Sequence, residues 1–501
     1  MTEDDLLQLV ERLRTQKAEG QTIEVKEARV ACPEKLHDSL SAFANQNGGG
    51  TIVFGLSEKE NFSVCGVSDA QAIITGVSEQ AKQMEPPLRP LFTTVQIDGK
   101  IVVSAEIPEC EVERRPCFDV RKGRVRGSYV RVGNVDEPMS EYEIYSYEVF
   151  RKRHRFDMEA VEASAGTELS SAFLEQYFSK VQSTKKNLAQ LTREQILQLQ
   201  GIRVDGKTTL AGLLLFGLYP QAAFPQLCIF ATRVPGTKIG DLSELGSRFT
   251  DNVRIEGTIP QMLEDALEFV RKNMRVATIV DSETAMRRDL PEYPISAVRE
   301  VLLNALIHRD YGAWTRNAPI RLTMFEDRLE VESPGALYGR LTLAALGKDL
   351  SLIDTRNPGL SAAMEILSQT ENRYSGIPTI RREMKNAGLP PPEFQETRMR
   401  NFLVVLRNSS KTVGQTITAE APAKSLLAFC EKPRTRKEIA EFLDMPNVKY
   451  VAAYYIRPLV KKGILAMTLP ETPRAHNQRF VSNNKILSRP DYSAESGFPS
   501  G

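Results

Sequence analysis

The chain has 501 residues, 41% of them hydrophobic and 26% charged, the balance of an ordinary folded protein rather than a disordered or fibrous one. At roughly 150 residues per domain, about three domains are expected. The formal net charge of +1 excludes an overall basic nucleic-acid binder, so any basic surface has to be local.

The N-terminus, MTEDDLLQLVERL, is acidic and lacks the apolar centre of a secretion signal. The longest apolar stretch, Leu210 to Tyr219, is far shorter than the roughly 20 residues a membrane helix needs, so no membrane association is expected. The six cysteines (Cys32, Cys65, Cys110, Cys117, Cys228 and Cys430) are scattered, with neither paired CxxC motifs nor a disulfide-like spacing. Reduced thiols in a cytoplasmic protein are the expectation.

In chain order, residues 1–140 alternate helical and strand patterns. An amphipathic helix (Leu6, Leu7, Val10, Leu13) is followed by a strand over Thr22–Lys26 and a helix around Leu36–Asn45. A turn at Gly48–Gly50 then leads into the β-branched strand Thr51–Phe54. Further strands are predicted over Phe92–Ile97, Ile101–Ile107 and Ser128–Val132. Between Arg114 and Arg131 stand seven Arg or Lys against one Asp, and alternating Arg124, Arg126 and Arg131 would line a strand face able to meet phosphates, or simply a solvated hairpin.

Three patterns in this region, Gln21–Lys26, Leu40–Asn45 and Gly48–Leu56, with Arg115-Pro116 and Tyr129–Gly133 after them, resemble the Schlafen/AlbA domain. That resemblance implies a nucleic-acid-binding or interaction module over 1–140. In nucleolytic relatives three acidic residues hold a divalent metal, and the matching positions are Glu19, Glu24 and Glu58. An ordinary ion pair with Lys26 explains Glu24 equally well.

Residues 141–195 are rich in Glu, Lys and Gln and read as a helical connector. Gly201-Ile-Arg-Val-Asp-Gly-Lys-Thr208 satisfies the phosphate-loop pattern GxxxxGK[ST] letter for letter. That loop needs a buried strand before it. Here the preceding Thr192–Gln200 carries a Thr-x-x-Gln capping signal and reads as a helix, so coincidence is expected.

The sharpest signal is Pro294 to Tyr311. Apolar residues at 295, 298, 302, 305 and 306 mark one face of a helix, while Glu300, Asn304 and His308, each four apart, line another. A carboxylate and an amide one turn apart suit a nucleotide site: the first can polarise water and the second can ligate Mg²⁺ through oxygen. For ExxxN alone, a capped amphipathic helix explains as much.

The longer run Arg299-Glu-Val-Leu-Leu-Asn-Ala-Leu-Ile-His-Arg-Asp-Tyr311 resembles the N box of a divergent branch of the histidine-kinase/gyrase/Hsp90 (GHKL, Bergerat-type) ATPases. Strands over Ile320–Phe325 and Arg328–Glu332 follow, then Ser333-Pro-Gly335, Thr355–Pro358 and Ser375-Gly-Ile377, all matching that branch. The resemblance implies an ATP-binding α/β sandwich over 196–408, with Glu300 as water activator and Asn304 as Mg²⁺ ligand. His308, Glu332, Ser333, Gly335, Ser375 and Gly376 would complete the nucleotide site, with Glu332 and Ser333 competing for the adenine contact. Tyr374 stands where the branch usually has a lid glycine, which puts turnover in doubt.

Residues 409–423 read as a linker and 485–501 as a disordered tail. Between them, 424–484 resembles a winged helix. A Thr435–Glu438 capping box opens its second helix, and strands are predicted at Ile464–Met467 and Gln478–Val481. Residues 424–480 hold eleven Lys or Arg against five Asp or Glu. Lys449, Tyr450, Arg457 and Lys461 would contact duplex DNA, unless the unit docks a protein.

The expected protein is an α/β multidomain, cytoplasmic, ATP- and Mg²⁺-binding regulator that contacts DNA or RNA, with self-association left open. Proteins of this kind are often labelled RecG-like, but the chain shows no paired helicase motor motifs. A metal-dependent nuclease and a non-catalytic interaction protein with a decayed pocket are the rivals.

Overall fold

The computed structural model describes residues 1–162, 168–280, 287–347, 354–367, 376–397 and 399–408, together with 429–430, 432–442, 452, 456–461, 465–469, 472, 475 and 478–482. Among these residues no helix is long and apolar enough to cross a membrane.

The N-terminal unit is a sheet covered on both faces. Helix α1 (Glu3–Gln16) starts at a capping box between Thr2 and Asp5, with Glu3, Asp4 and Asp5 at the positive end of its dipole. Next come β1 (Ile23–Lys26), α2 (His37–Asn45), β2 (Gly50–Phe54), α3 (Ala70–Lys82), β3 (Leu91–Ile97) and β4 (Lys100–Ile107). The strands lie in the order β1-β2-β4-β3; β1 and β2 run parallel and the other pairs antiparallel. Side chains alternate across each strand. Val25, Val53, Val95 and Val102 therefore meet Leu6, Leu9, Val10 and Leu13 of α1. Ile52, Phe54, Val103 and Ala105 meet Leu40 and Phe43 of α2 and Ile73 and Val77 of α3.

The basic segment departs from expectation. Arg124 and Arg126 sit on a one-turn helix, α4 (Gly123–Gly127), and not at alternate positions of a strand. Asp119 accepts from the Arg121 backbone N–H at 3.0 Å and turns the chain, and Gly123 opens the helical turn at φ 71°. The hairpin β5 (Tyr129–Val132) and β6 (Val135–Pro138) follows, then α5 (Glu141–Arg151), opened by a Ser140–Glu143 capping box.

The second unit contains α6 (Ser171–Thr184), α7 (Arg193–Leu199), α8 (Leu210–Phe216), β7 (Ile229–Arg233), β8 (Asp251–Ile255), α9 (Ile259–Asn273) and α10 (Ile295–His308). It is completed by β9 (Ile320–Met324), β10 (Arg328–Pro334), α11 (Pro358–Ile366), α12 (Gly376–Asn386), β11 (Glu393–Glu396) and β12 (Asn401–Arg407). Six strands lie in the order β8-β7-β9-β10-β12-β11, with only β7 and β9 parallel. Ile229, Ala231, Ile320, Leu322, Leu329, Val331, Val404 and Leu406 share one core with Val298, Leu302 and Leu306 of α10. Arg321, Glu330 and Glu332 point away from that core, as period-2 alternation requires.

The expected connector is not separate. Tyr177, Phe178 and Val181 of α6 and Ile196 and Leu197 of α7 belong to the same apolar cluster as the six-stranded sheet. A three-residue apolar stripe among Glu, Lys and Gln is enough to dock a helix. The phosphate-loop look-alike forms a hairpin of two-residue strands, Arg203–Val204 and Lys207–Thr208, turned at Asp205 and Gly206, both with positive φ. Helix α7 precedes it and Lys207 is exposed, so the buried strand that a phosphate loop requires is missing there.

Near the C-terminus, strands Arg434–Thr435, Leu465–Met467 and Arg479–Ser482 form a sheet with the last-named strand central. Thr435 and Glu438 cap helix Arg436–Phe442 reciprocally, at 2.7 and 3.2 Å. Cys430, Ile439, Ala440, Ile456, Leu459, Leu465 and Phe480 make its core. The proposed linker 409–423, the tail 485–501, and Lys449 and Tyr450 lie outside the described residues.

Candidate functional site

Helix α10 buries Ala297, Val298, Val301, Leu302, Leu303, Ala305, Leu306 and Ile307, leaving Glu300 and Asn304 partly exposed one turn apart. The Asn304 amide nitrogen lies 3.4 Å from the Glu300 Oε1. Helix α12 starts directly against this pair. A Cβ on Gly376 would fall 2.5 Å from the Glu300 Oε1 and 2.9 Å from the Asn304 Nδ2, so any larger residue there would displace both side-chain tips. Ser296 donates to Glu383 at 3.0 Å and fastens the flank of the two helices. Carboxylate, amide and the first turn of α12 thus lie together. Ser375 and Tyr374 lie outside the described residues. His308, at the end of α10, is exposed.

The sheet positions sort differently. Ser333 is buried and its hydroxyl donates to the Ala305 carbonyl of α10 at 3.0 Å. Glu332, one residue earlier, points to the opposite face, where it meets Arg321 at 3.3 Å and accepts from Asn401 at 2.8 Å. Strand alternation therefore turns Ser333 toward α10 and Glu332 away from it. Gly335, at φ 110°, packs on Asp310 and Arg356, and a Cβ would meet them at 2.7 and 2.4 Å.

The remaining motif residues form a buried polar knot that sequence reasoning missed. Arg309 donates to the Thr315 and Ala318 carbonyls at 2.9 and 2.5 Å. Asn357 is fully buried and donates to the Ile307 and Arg309 carbonyls at 2.8 and 2.7 Å, closing the frayed end of α10. Tyr142 of α5 donates to Asp310 at 2.8 Å, and Arg356 lies 3.6 Å from the same carboxylate. Asp157 accepts from the Gly359 and Leu360 N–H groups at 2.7 and 3.1 Å, capping α11 from a distance, while burial pushes its carboxyl up to about 6. These residues hold the elements around the site.

In the N-terminal unit the acidic trio does not make a metal site. Among the described residues no group of three or more His, Cys, Asp or Glu side chains is placed to hold a metal ion. Arg131 sits among the carboxylates instead, 2.7 Å from Glu24, 3.8 Å from Glu19 and 2.8 Å from Asp136, with its side chain only 1% exposed. Burial, then the charge of Glu24, then that of Glu58 push the Glu19 carboxyl up to about 7, against the Val25 N–H and Arg131. Glu58 stands on a short exposed 3₁₀ turn. The guanidinium supplies the counter-charge a metal would have supplied, so the expected Glu19–Glu24–Glu58 metal set is corrected.

Of the arginines expected to contact phosphates, two are held by carboxylates. Arg131 is buried in that cluster, and Arg124 is tied to Glu148 at 2.6 Å; Arg126 is exposed. Arg115, also buried, donates to the Cys110, Asn47 and Gln46 oxygens. In the C-terminal unit Arg457 is exposed at the start of helix Arg457–Lys461.

Comparison with known proteins fits this layout. Residues 19–140 match a family model described as "Schlafen, AlbA_2". Residues 317–406, from β9 to β12 but not α10, match HATPase_c_4, described as "Putative ATP-dependent DNA helicase recG C-terminal". The chain therefore carries a Schlafen AlbA_2 module followed by a HATPase_c_4 domain of α/β architecture. Among solved structures it is similar to the DIP2311 protein from Corynebacterium diphtheriae, at 20% identity over 97% of this chain and 98% of that one, with a TM-score of 0.37. It is also similar to the N-terminal domain of a "Putative ATP-dependent DNA Helicase RecG-related Protein" from Nitrosomonas europaea, at 24% identity over 26% of this chain and 92% of that one, with a TM-score of 0.21. No curated protein matches the chain.

Proposed function

We propose that the chain is an ATP-binding, nucleic-acid-associated regulator of the cytoplasm, and not a helicase motor. The convergence of Glu300, Asn304 and Gly376 beside a HATPase_c_4 sheet carries the reading. These residues fit Mg²⁺-ATP: an amide oxygen suits a hard cation, and the glycine permits close backbone approach to phosphate. When bound, the nucleotide brings a phosphoryl group open to attack by water. Glu300 would accept the proton of that water, Asn304 would hold the cation, and the N–H groups at the start of α12 would meet the negative phosphates. Ser333, held by the Ala305 carbonyl, would orient the base from the α10 side. We assign the ends of the chain to nucleic acid: the AlbA_2 module, and residues 424–484 as a winged helix with Lys449, Tyr450, Arg457 and Lys461 toward a duplex.

Calorimetry on the full chain tests the pocket. Wild type should bind ATP with Mg²⁺ present. Asn304→Ala should lose that binding, and Glu300→Ala should keep it while losing turnover. Wild-type affinity in the Asn304 variant would overturn the assignment.

A further inference from the structure

The N-terminal unit and the end of helix α5 border a recess that shares no lining residue with the Glu300–Asn304 pair. Its volume is about 210 Å³, and its lining includes Arg114, Arg124, Arg151, Phe118, Glu85 and Glu113. Three guanidiniums face one small space, and the two carboxylates do not cancel them. Glu113 is held by Arg340, which reaches across from the second unit. Arg124 spends one nitrogen on Glu148 at 2.6 Å, but its Nε is buried and has no hydrogen-bond partner. Arg114 and Arg151 are exposed and form no ion pair among the described residues. Arg124 also lies 5.3 Å above the Phe118 ring, so the floor of the recess is apolar and its upper wall cationic.

The charge continues outward. Arg151 begins the run Arg151-Lys-Arg-His-Arg155, all five residues exposed. His154 pairs with Glu159 at 2.7 Å, and Arg153 is close enough to lower the Glu113 carboxyl alongside Arg340. Lys152 and Arg153 make no ion pair among the described residues. A cationic recess joined to a cationic strip matches a chain of phosphates, one seated and its neighbours along the strip. Guanidiniums suit that seat because their planar donors match phosphate oxygens.

We propose that this recess and the adjoining Arg151–Arg155 run bind the phosphate backbone of a single-stranded nucleic acid. A duplex presents its phosphates on a stiff convex surface, whereas a single strand can bend one phosphate into a recess. The inference deepens the nucleic-acid half of the function proposed above; of the Arg124–Arg131 row it uses Arg124 alone, and it lies apart from the C-terminal unit. The Arg340–Glu113 bridge at its rim also joins the site to the loop that follows β10.

The test is fluorescence anisotropy on the full chain with a labelled single strand, as DNA and as RNA, and with the matching duplex, across a salt series. Wild type should prefer one of the single strands to the duplex. The double variant Arg114→Ala/Arg151→Ala should bind that strand about tenfold more weakly. Its log–log salt slope should fall by about 1.4, from about 0.7 per lost contact on a single strand. Arg114→Lys/Arg151→Lys should keep most of the slope, which excludes a folding defect, and ATP affinity should not change in either variant. Unchanged strand binding in the alanine variant, with loss in Arg457→Ala, would overturn this site and leave the broader function standing. Duplex preference would overturn it as well, and an absence of all nucleic-acid binding by wild type would overturn both.

Discussion

Glu24 and Glu300 each place a carboxylate in a partly enclosed polar cluster, but their surroundings differ in kind. Around Glu24 and Glu19 the positive charge is built in: Arg131 reaches from β5 into the cluster with its side chain almost wholly buried. Beside Glu300 stand a neutral amide, that of Asn304, and the glycine that opens α12. A carboxylate cluster filled by an arginine is an internal ion pair. The same residue type serves structure at Glu24 and is the one we propose for chemistry at Glu300.

The largest test of that contrast removes the built-in charge. Arg131→Ala should destabilise the N-terminal unit by about 3–5 kcal/mol in urea unfolding, because it strands buried carboxylates. Millimolar Mg²⁺ should restore part of the loss in the variant and leave wild type unchanged. A loss below about 1 kcal/mol would show that the arginine is not the cluster's counter-charge.

On the other side, Gly376→Ala should weaken ATP binding about tenfold, roughly 1.4 kcal/mol, with the melting temperature little changed. Its methyl group would meet Glu300 and Asn304. Full affinity in calorimetry would separate α12 from the nucleotide site.

A smaller effect follows from the raised Glu19 carboxyl. The folded protein holds this proton up to about pH 7, whereas the unfolded chain releases it in the ordinary carboxylate range. The bound proton therefore favours folding at acidic pH, and the benefit is lost as pH rises through about 7. Glu19→Gln should raise the melting temperature at pH 8.5 by about 2–4 °C, close to 1 kcal/mol, and change little at pH 5. An equal shift at both values would sink the assignment.

The smallest expected effect is at Lys207. Lys207→Ala should leave ATP affinity within about twofold of wild type, since its hairpin lacks the strand-to-helix setting of a phosphate loop. Loss of binding with the fold intact would return that loop to the site.

Much of the fold was readable from local pattern. Period-2 alternation located β2, β3, β4, β9 and β10 to within two residues, and the capping signals at Thr192 and Thr435 marked real helix starts. The Glu300–Asn304 pair was readable for the same reason, since one helix sets the spacing. Gly376 was suggested by resemblance, but its contact with that pair needed α12 to pack on α10. Arg124, Arg126 and Arg131 were misread as a strand row because a local turn at Asp119 put the first two in a helix.

The sequence by itself determined the strand and helix periods, the caps, and which side chains share a helical face, because these depend on neighbours within a few residues. Tertiary structure decided which charges meet. Arg131 reaches Glu24 across 107 positions of sequence, Tyr142 reaches Asp310 across 168, and Asp157 caps a helix 202 residues away. Burial then sets whether such a charge is available or spent, since a desolvated group must be paired by whatever the fold brings beside it.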